Sequence, residues 1–330
     1  GVFFLPDPPQ DPAPPHDFRR VGRRGVEELS PELLVELRRA RARRAIALEL
    51  FAELERHPTR LQLRAQVEGD PEQIGSRIRN YLRVRLTDQA GWTADGEAFR
   101  GWKAAIEAHG VLVFQMRRIS YQEVRGFSIA EYPLPAIVVN GSDFANAKTF
   151  TLLHEFVHLI LHLSGICDPY ARVVRGRSAN SRIEAFCNHV AAAALVPASS
   201  LLNHPMVVTQ VDVEGWTEDS LARIGRTYAV STLVIMRRLL TLGRTTARFY
   251  DEYHERIVAL AERSRLERIQ EGGAPRPGMV LADRGQAFTS TVLDAYDNRL
   301  ITASDVSEYL RVKVPQIPEV KARLNLSAPE

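Results

Sequence analysis

The chain has few cysteines and no long apolar segment. Two of its 330 residues are cysteine, which excludes the disulfide framework of a small secreted protein. No run of about 18 apolar residues occurs, so a membrane-spanning helix is not expected. The first five residues lack the length and the basic start of a secretory signal. We therefore expect a cytoplasmic protein without a membrane partner, and the missing initiating Met indicates a processed or truncated chain.

The sequence also lacks internal repeats, a P-loop and a G-x-G-x-x-G pattern. Its net charge of +3 is too small to indicate a nucleic-acid-binding protein by itself. Arginines are nevertheless concentrated between residues 19 and 85, with acids scattered among them. A solvated helix face explains this pattern, and a surface for a nucleic acid or another anionic partner is the alternative.

One motif, His154-Glu155-x-x-His158, carries chemistry. On a helix, residues i and i+4 lie on one face, so both imidazoles can bind one Zn²⁺. Glu155 is rotated by about 100° from its neighbour, which suits it to take a proton from the attacking water rather than to bind the metal. The apolar flanks predict a buried helix, and histidines that are merely hydrogen-bonded in a core are the alternative.

A third protein ligand is needed beside the two histidines. His162 continues the same face, but its rise of about 6 Å beyond His158 places it too far for the same ion. The better candidate is Glu184, on a second predicted helix that Pro197 ends; an ordinary surface carboxylate is the alternative. Two histidines and a glutamate leave a position open, as catalytic zinc sites do.

Several neighbours of these residues are candidates for supporting roles. Asn188, His189 and His162 could each position a ligand or stabilise an oxyanion, and the sequence does not distinguish them. Cys187 follows Glu184 by three residues, and Cys167 precedes it in a predicted loop. The two thiols could act together as a redox switch, and the alternative is that they are two unrelated buried thiols.

The remaining pattern predicts an α+β, zincin-like domain with a small sheet. Helices are expected after Ser30, after Asp70 and from Thr93 or Asp95, followed by strands over 111–116, 126–130 and 136–140. Because the third strand directly precedes the motif helix, it is expected to edge the cleft and to pair with an extended substrate. The substrate-binding candidates on it are Val138, Val139 and Asn140. An interior strand is the alternative.

A mainly helical C-terminal domain is expected to follow the zincin-like domain. Thr217 and Val230-Ser231-Thr232 begin two helices joined by a short turn, which resembles a helix-turn-helix unit. Arg237 and Arg238 lie on the second helix. That helix would read DNA, pack against the peptidase or hold a substrate. The expected divisions are a Pro-rich arm (1–28), a metallopeptidase domain (29–200), the helix-turn-helix-like domain (201–270), and a linker with a small helical region (271–330).

Three stretches resemble the ImmA/IrrE family of metallopeptidases. They are His-Glu-Phe-Val-His at 154–158, the E-A-x-x-N-x-x-A-A-A-A-L-V-P pattern at 184–197, and the strand Ile137–Asn140. The resemblance implies His154, His158 and Glu184 as ligands and Glu155 as the base. The chain departs from the family at Cys187, where alanine is usual, and at Val190, where phenylalanine is common.

The resemblance further implies cleavage of helix-turn-helix repressors of the XRE type, after DNA damage or in the control of mobile elements. In larger relatives an XRE-type domain precedes a stretch like Phe3–Pro6, so we expect that such a domain preceded Gly1. The expected metal is Zn²⁺, with Mn²⁺ as an alternative, and single- or double-stranded DNA is a possible activator. The rival hypothesis is a DNA-binding regulator or single-stranded DNA sensor with a structural or vestigial metal site.

Overall fold

The computed structural model describes residues 16–17, 29–117, 119–120, 122–163, 165–167, 179–269 and 279–327. Most of the predicted Pro-rich arm, the loop 168–178 and the predicted linker 271–278 lie outside the described residues. The described strands are β1 (His16–Asp17), β2 (Leu112–Met116), β3 (Gly126–Ile129), β4 (Ala136–Asn140) and β5 (Gly165–Cys167). The described helices are α1 (Pro31–Glu53), α2 (Pro71–Leu82), α3 (Leu86–Ala90), α4 (Glu97–Glu107), α5 (Ala145–Ile160), α6 (Ala179–Leu195), α7 (Ala198–Leu202), α8 (Pro205–Val208), α9 (Glu218–Thr227), α10 (Thr232–Thr241), α11 (Ala247–Ile269), α12 (Met279–Arg284), α13 (Gln286–Asp297), α14 (Ala303–Leu310) and α15 (Ile317–Ser327).

The fold is α+β, as the sequence predicted. The strands form one mixed sheet in the order β1-β5-β3-β4-β2. β4 is parallel to β2 and antiparallel to β3, so both of its edges are hydrogen-bonded. The expectation that β4 edges the cleft is therefore wrong, and the alternative of an interior strand holds. A strand whose backbone groups are all paired with neighbours cannot receive an additional strand.

The sheet lies between two hydrophobic clusters. Because side chains alternate along a strand, Ile137 and Val139 face one cluster and Val138 faces the other. The first cluster contains buried residues of α2, α4, α5, α6, α9 and α10. The second contains residues of α1, α13 and α14, with Phe114 and Phe127 from the sheet. The sheet thus supports α5 and α6 on one face and is covered by both ends of the chain on the other.

Side-chain caps begin several of the helices. Ser30 accepts a hydrogen bond from the backbone of Leu33 at the start of α1, and Asp70 accepts one from Glu72 at the start of α2. Proline occupies the first turn of both helices. α4 begins after Gly96, later than predicted. The motif helix α5 begins at Ala145 and has no side-chain cap.

The two helices of the predicted helix-turn-helix-like unit are α9 and α10, capped by Thr217 and Ser231. Ala229 has a left-handed backbone in the turn between them, with a φ of 48°. α10 is largely enclosed, since Val234, Ile235 and Leu239 are buried in the first hydrophobic cluster. None of the described helices is both long and apolar enough to cross a bilayer.

Candidate metal centre

The motif histidines lie on the buried part of α5. Every residue of this helix from Thr149 to Ile160 is buried, because the sheet covers one side and α4 and α6 pack against the others. The His154 and His158 side chains are 0% exposed. Their Nε2 atoms lie 3.1 Å apart, as expected for residues one turn apart on one helix face.

Glu184 brings a carboxylate to the same point from α6. One of its oxygens lies 3.0 Å from His158 Nε2, and the other lies 3.4 Å from His154 Nε2. The side chain is 3% exposed, so the alternative of a surface carboxylate does not apply. His154, His158 and Glu184 form the described cluster of possible metal ligands.

The ionisation of the three groups suits metal binding. Burial lowers the pKa of His154, which favours the neutral imidazole that a metal requires, and Glu184 offsets this only in part. Burial opposes ionisation of Glu184, but the two imidazoles outweigh burial and hold the pKa of its carboxyl well below its usual range. The site therefore combines the neutral imidazole of His154 with the anionic carboxylate of Glu184, and both forms suit metal binding.

The side chains lie close enough to share one metal ion. In a zinc site with metal–nitrogen distances of about 2.05 Å, two ligands are separated by about 3.3 Å. The two Nε2 atoms lie 3.1 Å apart, and the two oxygens of Glu184 lie 3.0 Å from His158 Nε2 and 3.4 Å from His154 Nε2, respectively. Glu184 Oε1 is buried and has no hydrogen-bond partner among the described residues. A buried carboxylate oxygen without a hydrogen bond is costly, and a cation at this point would satisfy it.

Two residues of α6, Asn188 and Cys187, contact the histidines. Asn188 Oδ1 lies 3.1 Å from His154 Nδ1, so it can accept the Nδ1 hydrogen and leave Nε2 for the metal. The buried Cys187 thiol lies within hydrogen-bonding reach of His158, and burial raises its pKa, which keeps it protonated. Cys187 is free in the structure, whereas the Cys167 side chain lies outside the description.

Glu155 lies beside β3. It is 0% exposed, and a Cβ added to Gly126 would lie 3.2 Å from Glu155 Oε1 and 2.7 Å from the Thr151 methyl group. Glycine at position 126 therefore permits the close approach of β3 to the side of α5 that carries Glu155. In the sequence, Gly126 carries no signal of this role beyond its place in a predicted strand.

The other candidate residues lie away from the three ligands. His189 Nε2 contacts Glu72 Oε1 at 2.8 Å on α2. His162 lies past the end of α5 with a φ of 59°, and its ring stacks at 4.6 Å from that of Tyr132. The Asn140 amide donates to the carbonyls of Ile119 and Val124, so it supports a loop inside the fold.

A residue from the helix-turn-helix-like unit lies close to the cluster. The Arg237 guanidinium carbon lies 5.6 Å from the centre of the Phe150 ring, and that ring lies 6.5 Å from the His154 ring. From the sequence, Arg237 is expected on a helix that would read DNA, pack against the peptidase or hold a substrate. Its proximity to α5 depends on how α10 packs, which the local pattern does not reveal.

Comparison with known proteins agrees with this geometry. Residues 106–240 match the family model Peptidase M78, described as the IrrE N-terminal-like domain. Neither the curated proteins nor the solved structures gave a match. The family match and the buried His-His-Glu cluster together indicate a metallopeptidase that holds a metal ion. Residues 106–240 are therefore similar to the IrrE N-terminal-like domain of the M78 peptidases, which confirms the resemblance to the ImmA/IrrE family.

Proposed function

We propose that the protein is a zinc-dependent endopeptidase that cleaves an XRE-type repressor at a specific site. The observation that carries the proposal is the buried triangle of His154, His158 and Glu184, with Glu155 on the same helix. A purely structural zinc site is closed by four protein ligands. The described cluster supplies three, and such a set leaves room for water and substrate.

Metal binding and proton transfer are assigned to different residues of the site. His154, His158 and Glu184 hold the ion, and Asn188 keeps the His154 ring in its ligating orientation. A zinc ion bound here acts as a Lewis acid and lowers the pKa of water towards about 7. Glu155 accepts the proton of the attacking water and delivers it to the departing amine nitrogen.

The substrate class follows from the family resemblance. Repressor cleavage would release the genes that the repressor controls, in a DNA-damage or stress response or in the control of a mobile element. Since β4 is an interior strand, the substrate backbone must be held by groups other than those of Val138, Val139 and Asn140. DNA remains the proposed activator, and the cytoplasm the proposed location.

Glu155→Gln tests this proposal. The zinc-loaded chain is incubated with the XRE-type repressor encoded beside it, with and without single-stranded DNA, and products are mapped by mass spectrometry. We expect one discrete cut that disappears in Glu155→Gln while the zinc content remains one per chain. Glu68→Gln, an exposed carboxylate, is the matched control and should cut normally.

A DNA-binding regulator is the rival function, and α9 with α10 is the feature that favours it. Glu155 on the same helix as the two histidines argues against it, because a structural metal site needs no general base. Absence of any cut, with DNA binding of equal strength in wild type and Glu155→Gln, would replace the peptidase proposal with the regulator.

A further inference from the structure

Arg237 contacts the helix that carries the two histidine ligands, although it lies in a different part of the chain. It lies on α10, which packs against α6 and shares the first hydrophobic cluster with α5. Its guanidinium stands over the Phe150 ring at 5.6 Å, and Phe150 precedes His154 by one turn of α5. Stacking on an aromatic face holds a guanidinium plane in a defined orientation while leaving its N–H groups available.

The Arg237 guanidinium has unused hydrogen-bonding capacity. Its Nη2 atom is buried and has no hydrogen-bond partner among the residues that the structure describes. The neighbouring Arg238 differs, since its Nε donates to the Val196 carbonyl and its terminal nitrogens donate to Glu72. A buried donor without a partner is costly, so such an atom suits a ligand that arrives later.

The Arg237 guanidinium also places a positive charge against the motif helix, over the ring of Phe150. The described ion pairs of α10 involve the neighbouring Arg238 and not Arg237. A positive group beside the ligands, with a free N–H, is the arrangement that stabilises a developing oxyanion in a site screened from water.

We infer that Arg237 is a catalytic residue that donates a hydrogen bond to the oxygen of the scissile carbonyl. This inference rests on the proposed peptidase function. When the water oxygen bonds to the carbonyl carbon, the C=O π electrons move to the oxygen, and Arg237 stabilises that negative charge. Glu155 takes the water proton. The C=O bond then re-forms, the C–N bond breaks, and the proton passes to the amine nitrogen.

This role predicts an effect on the transition state. Arg237→Gln removes the charge, and we expect kcat on the repressor to fall by about 10²–10³-fold with KM changed by less than about threefold. Arg237→Lys restores the charge and should recover part of kcat. Arg226→Gln on α9, an exposed arginine, is the matched control and should leave both constants unchanged.

Zinc content and the thermal midpoint should be the same in Arg237→Gln and wild type, which separates chemistry from folding. A rise in KM without a fall in kcat would show that Arg237 only binds substrate, and would overturn the inference. Equal losses of kcat in Arg237→Gln and Arg226→Gln would also overturn it.

A binding measurement tests Arg237 independently of cleavage. An N-phosphoryl leucyl dipeptide carries a tetrahedral anion like the one proposed to form, and its affinity for the zinc-loaded chain is measured by calorimetry. We expect Arg237→Gln to bind it about 10²-fold more weakly than wild type. Equal affinity, including absence of binding to both, overturns the role of Arg237. If wild type binds the dipeptide through Arg237 but cuts no repressor, the substrate proposal fails and the assignment of Arg237 stands.

Discussion

At the scale of single residues, the hydrogen bond between Asn188 and His154 decides which ring nitrogen is free for the metal. Asn188→Ala removes the acceptor at 3.1 Å, so the imidazole can rotate or change tautomer. We expect the zinc affinity to fall about 10- to 100-fold, measured by competition with a chromophoric chelator. Asn188→Asp keeps an acceptor oxygen and should retain most of the affinity. Unchanged affinity in Asn188→Ala would show that the Asn188 contact does not orient the ligand.

Local helix geometry explains which site residues the sequence could indicate. His154 and His158 are separated by four residues, and the 3.6-residue period brings them together whatever the rest of the fold does. The same period could have indicated that Asn188, rather than His189, lies beside the ligands. Asn188 follows Glu184 by four residues and therefore shares its helix face. Arg237 lies far along the chain from Phe150, so their contact depends on long-range packing that local periodicity does not encode.

At the scale of elements, the approach of α2 to α6 depends on Gly75. A Cβ at this position would lie 2.8 Å from Ala193 Cβ and 2.8 Å from the Ala194 backbone nitrogen. Gly75→Ala therefore forces the helices apart, and we expect it to destabilise the fold by about 1–3 kcal/mol despite the better helix propensity of alanine. Urea unfolding measures the change. Ser76→Ala, on the exposed side of α2, is the control. A stabilised Gly75→Ala would contradict the close packing.

The sequence indicated the starts of elements better than their arrangement. Helices begin as predicted at Ser30, Asp70, Thr217 and Ser231, because a capping side chain acts on backbone groups within three residues. The short helices α3, α7, α8 and α12 were missed, since they contain few periodic positions. The expectation that β4 edges the cleft was wrong because hydrogen bonding between strands is set by residues distant in sequence.

At the scale of the whole molecule, distant segments share cores. α1 and α13 pack together on the sheet face opposite α5, so the start and the end of the described chain complete one hydrophobic cluster. α10 joins the other cluster together with α5 and α6. Composition shifts along the sequence predicted separate regions, and the boundaries of these regions stay predictions. Each hydrophobic cluster contains residues from more than one of the predicted regions. Function at the metal centre is thereby connected to the packing of α10.

The ion pair between Glu72 and Arg238 joins α10 to α2. Arg238 is fully buried on α10, and Glu72 at the start of α2 also contacts His189 of α6. Burial opposes ionisation of Glu72, but the hydrogen bonds from Arg238 and His189 outweigh it, so its pKa is lowered from 4.5. Because the folded-state pKa is depressed, this group contributes stability above about pH 4.5 that is lost as the pH falls through the folded-state pKa.

Glu72→Gln tests this coupling in metal-free protein, where zinc release does not add its own pH dependence. At pH 7 the variant leaves a buried guanidinium without its carboxylate, and we expect a loss of about 1–3 kcal/mol in urea unfolding. The difference from wild type should shrink as the pH falls below about 4.5, because protonated Glu72 resembles glutamine. Glu68→Gln, in an exposed position, should follow wild type throughout. A difference that stays constant with pH would mean that α10 is held by packing rather than by the Glu72 charge.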